Sequence, residues 1–311
     1  LSLAGLLCFI LAFKFSFYTL LFYFFGCLFF IIASLIIFSK RHALYLIPLV
    51  IFGISLRIIP YLSSSLIPFN DPWHELALVR FYLEQGFFAT PQFDSYFLSL
   101  YSVTPLLHIV MGIISIVTGL NLISVSTLMM IILNIICLIF IYLISKEYCK
   151  EFVFIPSILF IILPDFLQWT MQTVRTFFAI TLLLVLIYFL VSQKQTPKIM
   201  ILEFIIGALI VMSHHLTSLI LILVLIAFAI SKKNRLLLVL TLFSFSFLLL
   251  YWSFLSGGSM IDYISLALSS ISSSPEDFVL GWSKSAINAD VPLLLLVMNF
   301  LLLTYHSKVD L

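Results

Sequence analysis

Residues 121–145 read NLISVSTLMMIILNIICLIFIYLIS, and no side chain in this run is charged. A helix needs about 20 apolar residues to cross the hydrocarbon core of a bilayer. Lys146 follows the run at once, and comparable apolar runs recur along the chain. The stretch therefore predicts a membrane-spanning helix and sets the pattern for the whole sequence.

The composition agrees with this prediction. Of the 311 residues, 63% are hydrophobic and 9% are charged, and the mean hydropathy is +1.27. Soluble domains have about 45–50% apolar and about 25% charged residues, because they need a polar shell around one core. A soluble enzyme, a nucleic-acid-binding protein and a disordered chain are excluded at this point.

The predicted fold class is all-α, a polytopic transmembrane helical bundle of about 9–11 spans. Residues 1–311 are expected to form a single transmembrane domain, and the chain is expected to be a fragment because it opens on Leu1. The predicted spans are Phe15–Phe38, Ala43–Pro60, Asn121–Ser145, Phe152–Trp169, Thr176–Val191, Met200–Met212, Leu216–Ile230, Leu236–Leu255 and Val291–Tyr305, with Leu1–Phe13 as the tail of another.

The apolar run Thr104–Gly119 is short and could either span the membrane or lie at its surface. Cytoplasmic loops carry an excess of Lys and Arg. If this run does not cross, ten of the fifteen Lys and Arg residues fall in short loops on one side. If it crosses, the basic loops are divided between the two sides. The sequence therefore favours an interfacial helix and cytoplasmic basic loops.

Two long loops then face outward, residues 61–119 with interfacial helices and residues 256–290. Long loops on a rigid scaffold commonly carry function. Most of the acidic residues also fall on this outer side, Asp71 and Asp165 among them. We expect the chemistry of this protein on the extracytoplasmic face of the cytoplasmic membrane.

The start of the first outer loop has two interpretations. Asp71 before Pro72 is typical of a helix start, with Gly86 as a stop, and Arg80 and Glu84 are spaced to pair on that helix. An Asp at this place is then only a cap. Alternatively, the oxygen and nitrogen ligands of Asp71, His74 and Glu75 suit a divalent metal.

A longer pattern resembles a known family. Arg57 at the end of a span, then Asp71-Pro-Trp-His, Tyr101-Ser-Val-Thr-Pro-Leu-Leu-His108 and Thr118-Gly-Leu-Asn121 resemble the first outer loop of C-type-fold (GT-C) membrane glycosyltransferases. This group includes the oligosaccharyltransferase catalytic subunit, protein mannosyltransferases and aminoarabinose transferases. The order of features is similar over roughly Ala43–Ile230.

The resemblance implies a GT-C-like arrangement and a polyprenyl-phosphate-linked sugar as donor. Asp71 takes the place of the family's catalytic or metal-binding carboxylate, and Arg57 and His74 become donor-binding residues. The implied cofactor is a divalent metal, Mg²⁺ or Mn²⁺, with Asp71 and Asp165 as ligands. The chain departs from the family at Thr176, where an acid is expected.

The second outer turn holds Asp165 and Arg175. Asp165 is either a second acid of the site or a helix cap at the interface. Arg175 lies on the side where the positive-inside rule disfavours cations, and we interpret it as a phosphate ligand or as one half of an ion pair.

Ser213-His-His-Leu-Thr217 joins two predicted spans on the same side. Adjacent residues on a helix point about 100° apart, so His214 and His215 are poorly placed to share a metal ion. A similar His-His-Leu-Thr stretch occurs in related archaeal-type membrane glycosyltransferases. The two histidines are predicted either to contact substrate phosphate or to form a polar turn at the interface.

The leading hypothesis is a polyprenyl-phosphate-dependent glycosyltransferase that acts on a protein, lipid or glycan acceptor. The alternatives are a transporter or lipid-linked-glycan flippase, and a catalytically inactive scaffold of the same fold. Transporters place charged groups near the middle of the membrane, whereas most charges here lie near the ends of the predicted spans. The expected partners are the lipid bilayer and the lipid-linked sugar, without nucleic acid.

Overall fold

A computed structural model describes residues 26, 46–63, 71–86, 104–148, 153–163, 167, 169–192 and 196–255. Nine α-helices are described from end to end, and no residue in these ranges lies in a β-strand. The helices are α1 (Leu46–Ser63), α2 (Asp71–Gln85), α3 (Leu106–Thr118), α4 (Leu122–Tyr148), α5 (Ile155–Ile162), α6 (Arg175–Ser192), α7 (Pro197–Val211), α8 (His215–Lys232) and α9 (Arg235–Leu250), and a π-helical turn, Tyr251–Leu255, follows α9. The predicted all-α class is confirmed for this part of the chain.

Four of these helices are long and apolar enough to cross a membrane: Leu122–Tyr148, Arg175–Ser192, His215–Lys232 and Arg235–Phe254. Their bounds agree within a few residues with four of the predicted spans. The chain is thus a membrane protein with at least these four candidate spans. Apart from residue 26, the predicted runs before residue 43 lie outside the described residues, as do the run after residue 290 and the second outer loop at 256–290.

One predicted span is wrong in extent. The run Phe152–Trp169 was expected to cross as one helix, but α5 has only eight residues and ends at Ile162. Leu163, which follows it, has an extended backbone (φ −64°, ψ 126°). Residue 164 is proline, and the residue before a proline is disfavoured in the α region. The apolar run therefore does not form a single helix.

Helix α3 covers the run that the charge pattern predicts at the membrane surface. Its 13 residues extend about 20 Å, less than the roughly 30 Å of a hydrocarbon core. One face is buried, with Leu107 and Met111 at 0% exposure, and the other face carries the exposed Ile116 and Val117. Its length suits an interfacial or re-entrant helix, and its position in a membrane stays a prediction.

The chain divides into two compact units, Leu1–Leu76 with Gly119–Thr173, and Ala77–Thr118 with Val174–Leu311. In the first unit, α1 packs against α4 and α5. Gly53 allows this approach, since a Cβ atom there would lie 3.0 Å from Leu138 Cδ1 and 3.3 Å from Ile161 Cγ1. The close contact explains why a residue without a side chain occupies this position.

The second unit contains most of α2, all of α3, and the helices α6 to α9. Within it, α7 contacts α6, α8 and α9. Helix α8 ends at Lys232, whose Nζ donates to the Leu190 carbonyl near the end of α6 and lies 5.7 Å from the centre of the Phe228 ring. Lys233 then turns the chain in the left-handed conformation (φ 47°), and α9 begins. The ends of α6 and α8 are thus joined by a lysine side chain.

Candidate functional site

Helix α2 carries the predicted catalytic acid. It begins at Asp71 with Pro72 in its first turn, and it ends before Gly86, whose φ is +95°. The predicted stop at Gly86 is confirmed, and the helix starts one residue earlier than predicted, because Asp71 is itself helical. The predicted pair of Arg80 with Glu84 is also present at 2.7 Å between Nε and Oε1, and this hydrogen bond raises the pKa of Arg80.

The side chains proposed as metal ligands on α2 face different surroundings. Asp71 is half-buried and His74 is exposed, whereas Glu75 is only 2% exposed. Within the ranges that the structure describes, no three His, Cys, Asp or Glu side chains are grouped so as to hold a metal ion. Asp165 lies outside those ranges. The predicted metal site therefore stays a prediction, and the described donors do not complete one.

Arg57 is fully buried (0% exposed) in the first unit. Its Nε donates to Thr170 Oγ1 at 2.6 Å, Nη1 to the Gly53 carbonyl at 3.0 Å and Nη2 to the Phe160 carbonyl at 3.1 Å. The Phe160 carbonyl would bond to the N–H of residue 164 in a continuing helix, but Pro164 has no N–H. Arg57 Nη2 therefore donates to the Phe160 carbonyl in place of the backbone N–H that proline lacks. Its predicted role in binding the donor phosphate stays a prediction beside this structural one.

Arg175 is the first residue of α6 and is 6% exposed. Its Nη1 donates to Oγ1 of Thr104, a residue that directly precedes the start of α3 and is 1% exposed. A second link joins the same region, because the backbone N–H of Leu106 donates to the Met212 carbonyl at 3.3 Å. The guanidinium is therefore fixed between the start of α6 and the start of α3.

His214 caps the start of α8 and also contacts α6. Its Nδ1 lies 3.0 Å from Thr217 Oγ1 and accepts from the Thr217 backbone N–H at 3.4 Å. Its Nε2 lies 3.0 Å from Thr176 Oγ1. Burial lowers the pKa of His214 well below its usual value, and the charges of His215 and Arg175 lower it further. The imidazole is therefore neutral at physiological pH.

Aromatic rings also lie near Arg175 and His214. The ring centres of His214 and His215 are 4.7 Å apart, and the two rings are tilted by 37°. The ring of Tyr82 lies 6.0 Å from that of His108, which is 0% exposed. Burial raises the pKa of Tyr82, and the positive charge of Arg175 acts against this shift. Tyr82 is therefore within electrostatic range of the guanidinium.

We call Thr104, Arg175, Thr176, His214 and Thr217 the Arg175 cluster. It lies where α3, α6 and α8 all begin. Helix starts carry backbone N–H groups without helical partners and the positive end of the helix dipole. A cationic guanidinium, three hydroxyl groups and a neutral imidazole at such a place form an electropositive, hydrogen-bonding cluster suited to an anion.

The structure brings together three of the predicted site residues, Arg175, His214 and His215. It adds Thr104, Thr176 and Thr217, which the sequence interpretation did not select as site residues. A hydroxyl residue at a helix start is a known capping signal, but threonine is common and its partners here are distant in sequence.

Neither a scan against protein-family models nor a search of curated proteins finds a match for this chain.

Proposed function

We propose that this protein is a membrane glycosyltransferase that transfers a sugar from a polyprenyl-phosphate donor to a protein, lipid or glycan acceptor on the extracytoplasmic face. The observation that carries the proposal is the buried guanidinium of Arg175, which Thr104 holds at the start of α6 beside the neutral His214. A phosphate leaving group is the kind of anion that this arrangement suits.

The chemistry of the guanidinium supports a phosphate ligand. It presents five N–H donors in a planar fork that matches two phosphate oxygens. The neighbouring imidazole of His214 is neutral, so it adds hydrogen-bonding capacity without the titration of a second cation. Donor binding would therefore be insensitive to pH near neutrality.

Asp71 is proposed to act as the base. A nucleophilic group of the acceptor attacks the anomeric carbon, and the bond from that carbon to the phosphate oxygen breaks with its electron pair. The carboxylate of Asp71 takes the acceptor proton, and the polyprenyl phosphate leaves with that electron pair. If Asp71 and Asp165 hold a divalent metal, it would help to neutralise the charge on the departing phosphate.

The proposal is tested with the full-length protein and labelled polyprenyl-phosphate sugars. Asp71→Asn should lose turnover and keep donor binding, whereas Arg175→Gln should weaken donor binding. Arg80→Gln is the matched control, because its side chain is 74% exposed on the same helix as Asp71, and its turnover should equal that of the parent.

The outcomes separate the two roles. Equal turnover by Asp71→Asn and the parent would remove Asp71 from the mechanism. Unchanged donor binding by Arg175→Gln would remove the phosphate role of Arg175. An absence of turnover with every donor would reject the enzyme and leave the transporter or the inactive scaffold.

One observation favours the transporter alternative. Glu203 lies within α7 and is 1% exposed, and ionisable residues inside membrane proteins commonly mark transport pathways. Sealed proteoliposomes distinguish the two functions. A flippase moves a fluorescent lipid-linked glycan between leaflets without an acceptor and loses this activity in Glu203→Gln, whereas the transferase consumes donor in detergent solution as well.

A further inference from the structure

The hydrogen bonds of His214 fix which nitrogen carries its proton. Nδ1 faces the backbone N–H of Thr217 at 3.4 Å and Thr217 Oγ1 at 3.0 Å. A backbone N–H can only donate, so Nδ1 must be the acceptor. A neutral imidazole holds one proton, and that proton therefore lies on Nε2. This assignment follows from the hydrogen-bond pattern around the ring.

The Nε2 proton determines the role of the Thr176 hydroxyl. Nε2 lies 3.0 Å from Thr176 Oγ1, so the imidazole donates and the hydroxyl oxygen accepts. The hydroxyl proton of Thr176 is then directed away from His214. Among the residues that the structure describes, His214 is the one hydrogen-bond partner of this hydroxyl, and Thr176 is half-buried while Arg175 and His214 are buried.

We infer that the Thr176 hydroxyl donates a hydrogen bond to a phosphate oxygen of the polyprenyl-phosphate donor, and that His214 is a positioning residue that orients this hydroxyl. The inference rests on the proposed function and adds a donor to the phosphate site beside Arg175. It also gives a chemical role to the position where related enzymes are expected to carry an acid. A carboxylate at residue 176 would repel the phosphate, whereas an oriented hydroxyl attracts it.

Two substitutions at Thr176 test the contact directly. Thr176→Val keeps the shape of the side chain and removes the hydroxyl, and Thr176→Ser keeps the hydroxyl. The probe is a short-chain polyprenyl monophosphate, with the corresponding polyprenol as the ligand without phosphate. A hydrogen bond to a charged group contributes about 1.5–3 kcal/mol, so Thr176→Val should bind the phosphate about 10- to 140-fold more weakly. Thr176→Ser should bind like the parent, and polyprenol affinity should not change.

Two substitutions at His214 test the positioning role. In His214→Asn the side-chain oxygen can replace Nδ1 as the cap of α8, but no group replaces the Nε2 donor. In His214→Gln the amide nitrogen can replace Nε2. We expect His214→Asn to keep the melting temperature and lose phosphate affinity, and His214→Gln to recover that affinity. Adding Thr176→Val to His214→Asn should cause little further loss, because both changes remove one interaction.

The outcomes distinguish the inference from the function on which it rests. If the parent prefers the phosphate over polyprenol and Thr176→Val does not alter this preference, the inference is wrong and the glycosyltransferase proposal stands. If the parent shows no such preference, both are wrong. If inorganic phosphate competes as well as the lipid phosphate at equal concentration, the ligand is free phosphate and the lipid-linked assignment is overturned. A structural link between α6 and α8 alone would lower the melting temperature of Thr176→Val without changing phosphate selectivity.

Discussion

The buried Arg57 offers the sharpest test of what holds the first unit together. We predict that Arg57→Lys destabilises the protein although the charge is kept. Lysine has a methylene group in the place of Nε, so the 2.6 Å hydrogen bond to Thr170 Oγ1 is lost. A single ammonium replaces the two terminal nitrogens that reach the Gly53 and Phe160 carbonyls at 3.0 and 3.1 Å. We therefore expect two of these three hydrogen bonds to disappear.

The magnitude follows from the nature of these bonds. Hydrogen bonds from charged groups contribute about 1.5–3 kcal/mol each, so the loss of two is worth at least about 3 kcal/mol. A change of 1 kcal/mol shifts the melting temperature by about 2 °C for a large chain. Arg57→Lys should accordingly melt about 6 °C or more below the parent, as measured by tryptophan fluorescence of the detergent-solubilised protein.

Arg80→Lys is the matched control for this substitution. Its side chain is 74% exposed and pairs only with Glu84 on the surface of α2 among the contacts described, and exposed pairs contribute little to stability. The control should melt with the parent. An Arg57→Lys protein that melts with the parent as well would refute the structural role of the guanidinium fork.

Three further predictions concern other parts of the fold. Gly53→Val should lower stability by about 1–3 kcal/mol through overpacking, because its Cβ would lie 3.0 Å from Leu138 and 3.3 Å from Ile161; an unchanged melting temperature would contradict the close packing of α1. Lys233→Gly should raise stability by about 0.5–1 kcal/mol, because glycine adopts the left-handed conformation without steric cost; a lower melting temperature would contradict this. The pKa of His214 is lowered well below 6.5 in the folded protein, so the unfolded chain binds the proton first and stability should fall as the pH drops below 6.5. The melting temperature at pH 7.5 and 5.5 measures this, and an equal pH dependence in His214→Asn would count against it.

Hydropathy predicts the long helices of this chain well. The run of residues 121–145 differs from the observed helix α4, Leu122–Tyr148, by a few residues at each end. This agreement has a simple cause, because every backbone group in a hydrocarbon environment must be bonded within its own helix. Local capping signals were equally informative, and Asp71, Pro72 and Gly86 mark the two ends of α2.

The end of α5 shows where the same reasoning fails. Hydropathy predicts a span over Phe152–Trp169 and gives Pro164 no special weight. The backbone responds instead to the missing N–H and to the steric limit on Leu163. Proline chemistry was visible in the sequence and should have taken precedence over the apolar run.

The contacts of the candidate site could not be predicted from any local pattern. Arg57 meets Thr170 across 113 residues, and Arg175 meets Thr104 across 71 residues. One sequence gives no measure of which of many threonines lies beside a given arginine. The cations and the histidine pair could be predicted because such groups are rare in apolar runs. The hydroxyl groups were missed because threonine and serine are common in such runs.

The lysine at the end of α8 has a consequence for experiments that map which side of a membrane each loop occupies. Lys232 and Lys233 are neighbours, yet the amine of Lys232 is engaged by the Leu190 carbonyl and half-buried, whereas Lys233 is exposed. An impermeant acylating reagent should therefore modify Lys233 readily in the folded protein and modify Lys232 only after denaturation. The positive-inside rule counts both lysines as orientation signals, but only Lys233 is expected to report that orientation once the helices have packed.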